Sequence, residues 1–75
     1  MVLLTNKLNT KTFFTLDNDG ELMICNEVTP GEYDQPMFVQ WDNLDEDEML
    51  YYMDRHMYLL DEVMPEISLQ FYPRF

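Results

Sequence analysis

Residues 42–64 read DNLDEDEMLYYMDRHMYLLDEVM, and this stretch decides the fold. Met49, Tyr52, Met53, His56, Leu59, Leu60 and Val63 recur at spacings of three and four, which draws one apolar stripe along a helix. Asp47, Asp54, Tyr58, Asp61 and Glu62 fall largely on the other side. The helix is expected to begin near Asp42 as N-cap, with Asp45 three positions on reaching back in the manner of a capping box. Pro65 ends it near Met64, because the residue before a proline is pushed out of the helical region. An amphipathic helix must bury its stripe against another layer, so the flanking segments must supply one.

Working outward, those segments read as strands. Residues 11–16, Lys-Thr-Phe-Phe-Thr-Leu, are rich in β-formers. Asp17-Asn18-Asp19-Gly20 follows, and Asp-Gly before a new apolar run signals a hairpin with Gly20 at positive φ. Residues 21–27 form the return strand, apolar on both faces and hence central. Thr29-Pro30-Gly31 makes a turn and Pro36 closes a loop. Met37, Val39 and Trp41 alternate with Phe38 and Gln40 as a third strand. Residues 2–5 suit a further edge strand. After the helix, Ile67, Leu69 and Phe71 alternate with Ser68, Gln70 and Tyr72, which reads as a last strand stopping at Pro73. The expectation is an α+β fold: a small antiparallel sheet of three to five strands with one amphipathic helix on one face. Phe14, Leu16, Ile24, Val39 and Trp41 are the expected core.

The 75 residues make one domain, residues 1–75, with a thin core. Strong acidity often marks disorder, but disordered chains are poor in apolar and aromatic residues. Here 47% of residues are hydrophobic and 15% aromatic, so the chain should fold and still present a negative surface. One cysteine, Cys25, allows no internal disulfide, which suits a reducing, cytoplasmic setting or an oligomer that enlarges the core. The apolar start Met1-Val2-Leu3-Leu4 is too short for a secretory leader, and no run approaches the ~20 apolar residues of a membrane span.

Charge is the functional signal. Between Thr12 and Asp54 lie twelve acidic residues and no lysine or arginine, and the formal net charge is -11. Such a chain repels nucleic acid and anionic membrane and attracts basic surfaces. Asp42, Asp45, Glu46, Asp47 and Glu48 crowd into seven positions. Acids in a first helical turn offset the helix dipole, and one or two would serve that purpose. The surplus suits recognition, since duplex DNA carries one charge per ~1.7 Å of axis and a carboxylate-lined surface approaches that density. Asp17, Asp19 and Glu21, if extended, repeat at ~6.8 Å, about the spacing of phosphates along one strand.

Catalytic and ligand motifs are lacking. Set against an EF-hand loop with Gly20 at its sixth position, Thr15 and Asn26 occupy positions that need carboxylates, so the 17–20 loop reads as a hairpin turn. His56 is the sole histidine and lies on the apolar stripe, where a core-edge role with one satisfied nitrogen is expected. Cys25, beside Met23 and Ile24, reads as a buried, inert thiol. Gly20 and Gly31 are the only glycines, too few for a phosphate-cradling loop. No cofactor or metal is expected, and no enzymatic activity.

Seven methionines, five tyrosines and five phenylalanines exceed what a thin core hides. Tyr33, Tyr51, Tyr58, Tyr72 and Phe75 are expected near the surface, where tyrosine and methionine serve interfaces. In size, acidity and cysteine poverty the chain is similar to phage-encoded inhibitors that occupy nucleic-acid-binding sites of host enzymes. Among these are uracil-DNA glycosylase inhibitors, antirestriction proteins and anti-CRISPR proteins. The similarity is one of composition and assigns no residue a role. The expected function is non-catalytic binding of a basic protein, a nucleic-acid-binding enzyme, through Asp42, Asp45, Glu46, Asp47, Glu48 and Asp54. Asp17, Asp19 and Glu21 support them, and Tyr51 and Tyr58 act as apolar anchors. The alternative is a structural or adaptor protein, compatible with a homodimer, that binds through a Met/Tyr-rich surface. A small enzyme whose site a partner chain completes is a third reading.

Overall fold

The computed structural model describes residues 2–74. Phe75, one of the aromatics expected at the surface, lies outside them. The fold is α+β. Five short strands make one antiparallel sheet: β1 (Leu4–Thr5), β2 (Thr12–Leu16), β3 (Leu22–Thr29), β4 (Glu32–Tyr33) and β5 (Met37–Phe38). A 3₁₀ turn, Trp41–Asn43, leads to α1 (Glu46–Val63), and α2 (Pro65–Phe71) follows almost at once.

The β2–β3 hairpin forms as the Asp-Gly signal requires. Leu16 pairs with Leu22, and Asp17 donates its backbone N–H to the Glu21 carbonyl at 3.0 Å. Gly20 takes φ 85°. The Asp17 carboxylate accepts the backbone N–H groups of Asp19 and Glu21 at 2.9 and 2.8 Å, which locks the turn. β1 pairs with β2, and the far edge of β3 is shared by β5 at Met23 and Ile24 and by β4 at Glu27 and Thr29. Sequence reading had no strand at 32–33; the Pro30-Gly31 turn sends the chain back along β3 for two residues.

Register places Leu4, Phe14, Leu16, Leu22 and Ile24 on one face. α1 lies across it, and Phe14, Leu22, Val39, Tyr52 and Leu59 close the core. Phe14 meets Tyr52 edge to face at 4.8 Å. Phe14 and Val39 are buried as expected. Leu16, Ile24 and Trp41 are half-buried around the cluster, while Leu22, Tyr52 and Leu59 belong to it, and Leu60 is fully buried near Gly20. Of the helical stripe, Met49, Met53 and Val63 stay exposed at its margins. The opposite sheet face carries Phe13, Met23, Tyr33 and Phe38, with Phe13 and Tyr33 edge to face at 5.3 Å.

Two of the expected strands are corrected by the structure. The third strand stops at Phe38. Val39 still donates to the Leu22 carbonyl at 3.3 Å, but Trp41 then turns its ring onto Tyr52 and His56, at centroid distances of 6.4 and 6.2 Å. That packing needs the chain to leave the sheet. Likewise, residues 67–72 are not a strand. Met64 closes α1 and precedes Pro65 at the start of α2, where a missing N–H costs nothing and φ is already helical. With no connecting chain, the segment cannot travel to a sheet edge. In the helix Ile67 and Phe71, four residues apart, press on Gly20, and Leu69 points out at 56% exposure. The alternation of Ile67, Leu69 and Phe71 was therefore coincidental.

His56 ties these elements together. It is 2% exposed, and its Nε2 lies 2.7 Å from the Gly20 carbonyl, which can only accept. Nε2 therefore carries the proton, and in the neutral ring Nδ1 accepts from the Tyr72 hydroxyl at 2.7 Å. Both nitrogens are satisfied, where sequence reading expected one. Burial, and secondarily the charge of Glu21, raises the Tyr72 hydroxyl above its ordinary pKa, which keeps that donor protonated. α2 is also bound to α1 through Asp61, whose carboxylate accepts from Ser68 and from Arg74. Those hydrogen bonds, Arg74 first, hold Asp61 below the ordinary carboxylate range.

Candidate binding surface

The capping box exists, one register later than expected. Asp45, not Asp42, is the N-cap of α1. Its carboxylate accepts the Glu48 N–H at 2.8 Å, and the Glu48 carboxylate accepts the Asp45 N–H at 3.2 Å. Two of the five clustered acids are thus used by the fold itself. Asp42, Glu46 and Asp47 are exposed and form no ion pair among the described residues. The helix dipole places only about half a positive charge at this end. Five carboxylates far exceed it, so the head of α1 stays strongly negative.

The other nominated residues divide by role. Asp54 is exposed and held by Arg55 at 2.7 Å. The Arg55 guanidinium also lies 5.2 Å from the centre of the Tyr58 ring and 5.7 Å from that of Tyr51. Tyr58 is 49% exposed and free to serve as an anchor. Tyr51 is half-buried against Phe14, and its hydroxyl accepts the Lys7 backbone N–H at 2.9 Å, which fixes the β1–β2 loop to the helix. Sequence reading made it an anchor; the geometry makes it a tie within the fold.

Asp17, Asp19 and Glu21 do not form an extended row at phosphate spacing. The turn is closed by the Gly20 N–H to Asp17 carbonyl bond at 3.2 Å, and the Asp17 carboxylate is engaged inside it. Asp19 and Glu21 remain exposed. The turn docks beside His56, which lies ten residues beyond Glu46, about 15 Å along the helix axis. Asp42 lies in the 3₁₀ turn that leads into α1. The acids are thus spread over three elements: the β2–β3 turn, the 3₁₀ turn and the head of α1.

The Cys25 thiol is buried and its pKa raised, by burial first and by the negative charge of Asp34 second, so the reactive thiolate is disfavoured. Among the described residues no group of three or more His, Cys, Asp or Glu side chains is placed to hold a metal ion. A surface groove of about 350 Å³ runs past Val2, Leu16, Leu59 and Val63, and neither His56 nor Cys25 lines it. No helix among the described residues is long and apolar enough to cross a membrane.

Sequence reading missed two apolar surfaces. One is the sheet face away from α1, where Phe38 is 54% exposed and Phe13, Met23 and Tyr33 are half-buried. The other is on the solvent side of α1, where Leu50 is 61% exposed. Its signal was in the sequence: Leu50 and Met57 continue at helical spacing from Met53, at the margin of the core stripe. Comparison with protein-family models, curated proteins and solved structures found no match.

Proposed function

We propose that this chain is a non-catalytic inhibitor that binds a basic protein and occupies the surface on which that protein holds nucleic acid. The observation that carries the proposal is the unpaired charge at the head of α1. Asp42, Glu46 and Asp47 present exposed carboxylates that the cap does not need, while Arg55 and Arg74 are engaged by Asp54 and Asp61. Charge of one sign, held on a folded element, speeds encounter with a basic partner and positions the complex. Inhibition is then steric and electrostatic competition with nucleic acid. The compositional similarity to phage inhibitors of host nucleic-acid enzymes supports the same reading, with action in the cytoplasm, that of the host if the source is viral.

The test neutralises only the acids that the fold does not use, by Asp42→Asn, Glu46→Gln and Asp47→Asn together. Asp45 and Glu48 are left in place so that the helix start survives. The expected result is a urea midpoint close to the parent's, together with at least roughly tenfold weaker binding to the partner captured from a lysate of the source or host cells. Unchanged binding would reduce the acids to a solvated surface.

The alternative, an adaptor or homodimer with an apolar interface, is favoured by the part-exposed apolar sheet face. Salt separates the two. Charge-driven binding weakens steeply between low and moderate salt, because exposed charges are screened over ~10 Å at 0.1 M. Binding through Phe13, Met23, Tyr33 and Phe38 changes little.

A further inference from the structure

Beside the core stripe of α1 runs an apolar row that is largely left in water. At 3.6 residues per turn, Leu50, Met53 and Met57 fall within about 60° of arc, with Met49 on the flank nearer the core. Leu50 is 61% exposed, Met49 and Met53 are each 37% exposed, and Met57 is half-buried. Their exposed parts leave apolar surface in water. Methionine is flexible and polarisable, and on a surface it adapts to a partner's shape. Glu46 stands at the head of the row, and Asp54 and Asp61 border it.

Charge complementarity selects the occupant. A second copy of this chain carries the same formal charge of -11 and is repelled. An anionic membrane is repelled by the same net charge. A neutral helix would cover the row and leave the carboxylates at its head unmatched. We propose that the row is the docking ridge for a cationic amphipathic helix of the partner protein. That helix lays its apolar side along Leu50, Met53 and Met57 and sets its lysines and arginines beside Asp42, Glu46 and Asp47. The proposal rests on the basic-partner reading and adds the shape of what is bound: a helix packed along a helix, through an apolar seam with a charged margin.

The test uses the whole chain with its methionine methyl groups labelled with ¹³C. It is titrated with a synthetic lysine–leucine peptide of roughly 18 residues, patterned so that the leucines share one helical face. A second peptide has the same composition in an order that gives no apolar face. With the patterned peptide, the methyl signals of Met49, Met53 and Met57 shift saturably and those of Met23 and Met37 stay. The scrambled peptide binds at least roughly tenfold more weakly, and Leu50→Gln weakens only the patterned peptide, roughly fivefold. Shifts centred on Met23 and Met37 would move the contact to the sheet and overturn the proposal. Equal affinity for both peptides would overturn the ridge but leave the basic-partner reading standing. Failure of both peptides to bind would count against both.

Discussion

Replacing Gly20 by alanine probes the joint between the β2–β3 turn and the helical layer. Gly20 has φ 85°, where an L-residue is less stable by roughly 1–2 kcal/mol. A Cβ there would lie 3.0 Å from Ile67 Cγ2, 3.2 Å from Leu60 Cδ2 and 3.4 Å from Phe71 Cε2. Moving those side chains in a packed layer costs roughly 1–2 kcal/mol more. Alanine also restricts the unfolded chain, which offsets about 0.4–1 kcal/mol. The expected net loss is about 2–3 kcal/mol, a fall in Tm of about 10–20 °C for a domain of this size. Gly31 supplies the internal control. Its φ is 84°, yet a Cβ would meet nothing within 4 Å. Gly31→Ala should therefore lose only about 1 kcal/mol, the conformational part alone. Urea unfolding followed by Trp41 fluorescence measures both variants. Equal losses would refute the docking of α2 on the turn, and with it the assignment of residues 65–71 as a helix.

Three further outcomes follow from the same contacts. Asp45→Ala should lower stability by about 1 kcal/mol while Asp42→Ala changes it by less than about 0.5 kcal/mol, and chemical denaturation of the two variants fixes the start of α1. His56→Leu strands the Gly20 carbonyl and removes the acceptor of the Tyr72 hydroxyl, so it should lose roughly 2–4 kcal/mol in urea melts, with Tyr72→Phe losing clearly less. Asp61 has its pKa lowered on folding, so its contribution is fully present above the unfolded value of about 3.9 and is lost as pH falls through the folded value. A thermal-melt series below about pH 4 should accordingly show a shallower acid limb for Asp61→Asn than for the parent.

Particular residues show where sequence reading succeeded and where it stopped. The β2–β3 hairpin was legible because Asp-Gly encodes a local backbone requirement. The body of α1 was legible because Tyr52, His56, Leu59 and Leu60 repeat with the helical period. Its start was misplaced by one register because Asp42-x-x-Asp45 and Asp45-x-x-Glu48 both resemble a cap. The burial of Trp41 against Tyr52 and His56 decides between them, and it is a tertiary contact. Residues 67–71 failed because an alternation spanning five residues fits a strand and a short helix alike. The nearness of Pro65 to the end of α1 was the better signal. In the candidate surface, the charge of Asp42, Glu46 and Asp47 was readable directly. The tie of Tyr51 to the Lys7 backbone spans 44 positions, and no local pattern announces it. Leu50 was hidden by the stronger core stripe beside it, although its spacing from Met53 and Met57 is helical.

The central claim is that the acidic head of α1 takes the place of nucleic acid on a basic protein. Its most direct test is to immobilise the chain, capture partners from a lysate of the source or host cells, and elute with duplex DNA or RNA at fixed salt. Release of a nucleic-acid-binding protein by the competitor, and its absence from the Asp42→Asn, Glu46→Gln, Asp47→Asn variant, is the expected result. A partner that stays bound through competitor and salt, and that the variant retains, would contradict it and turn the case to the apolar sheet face.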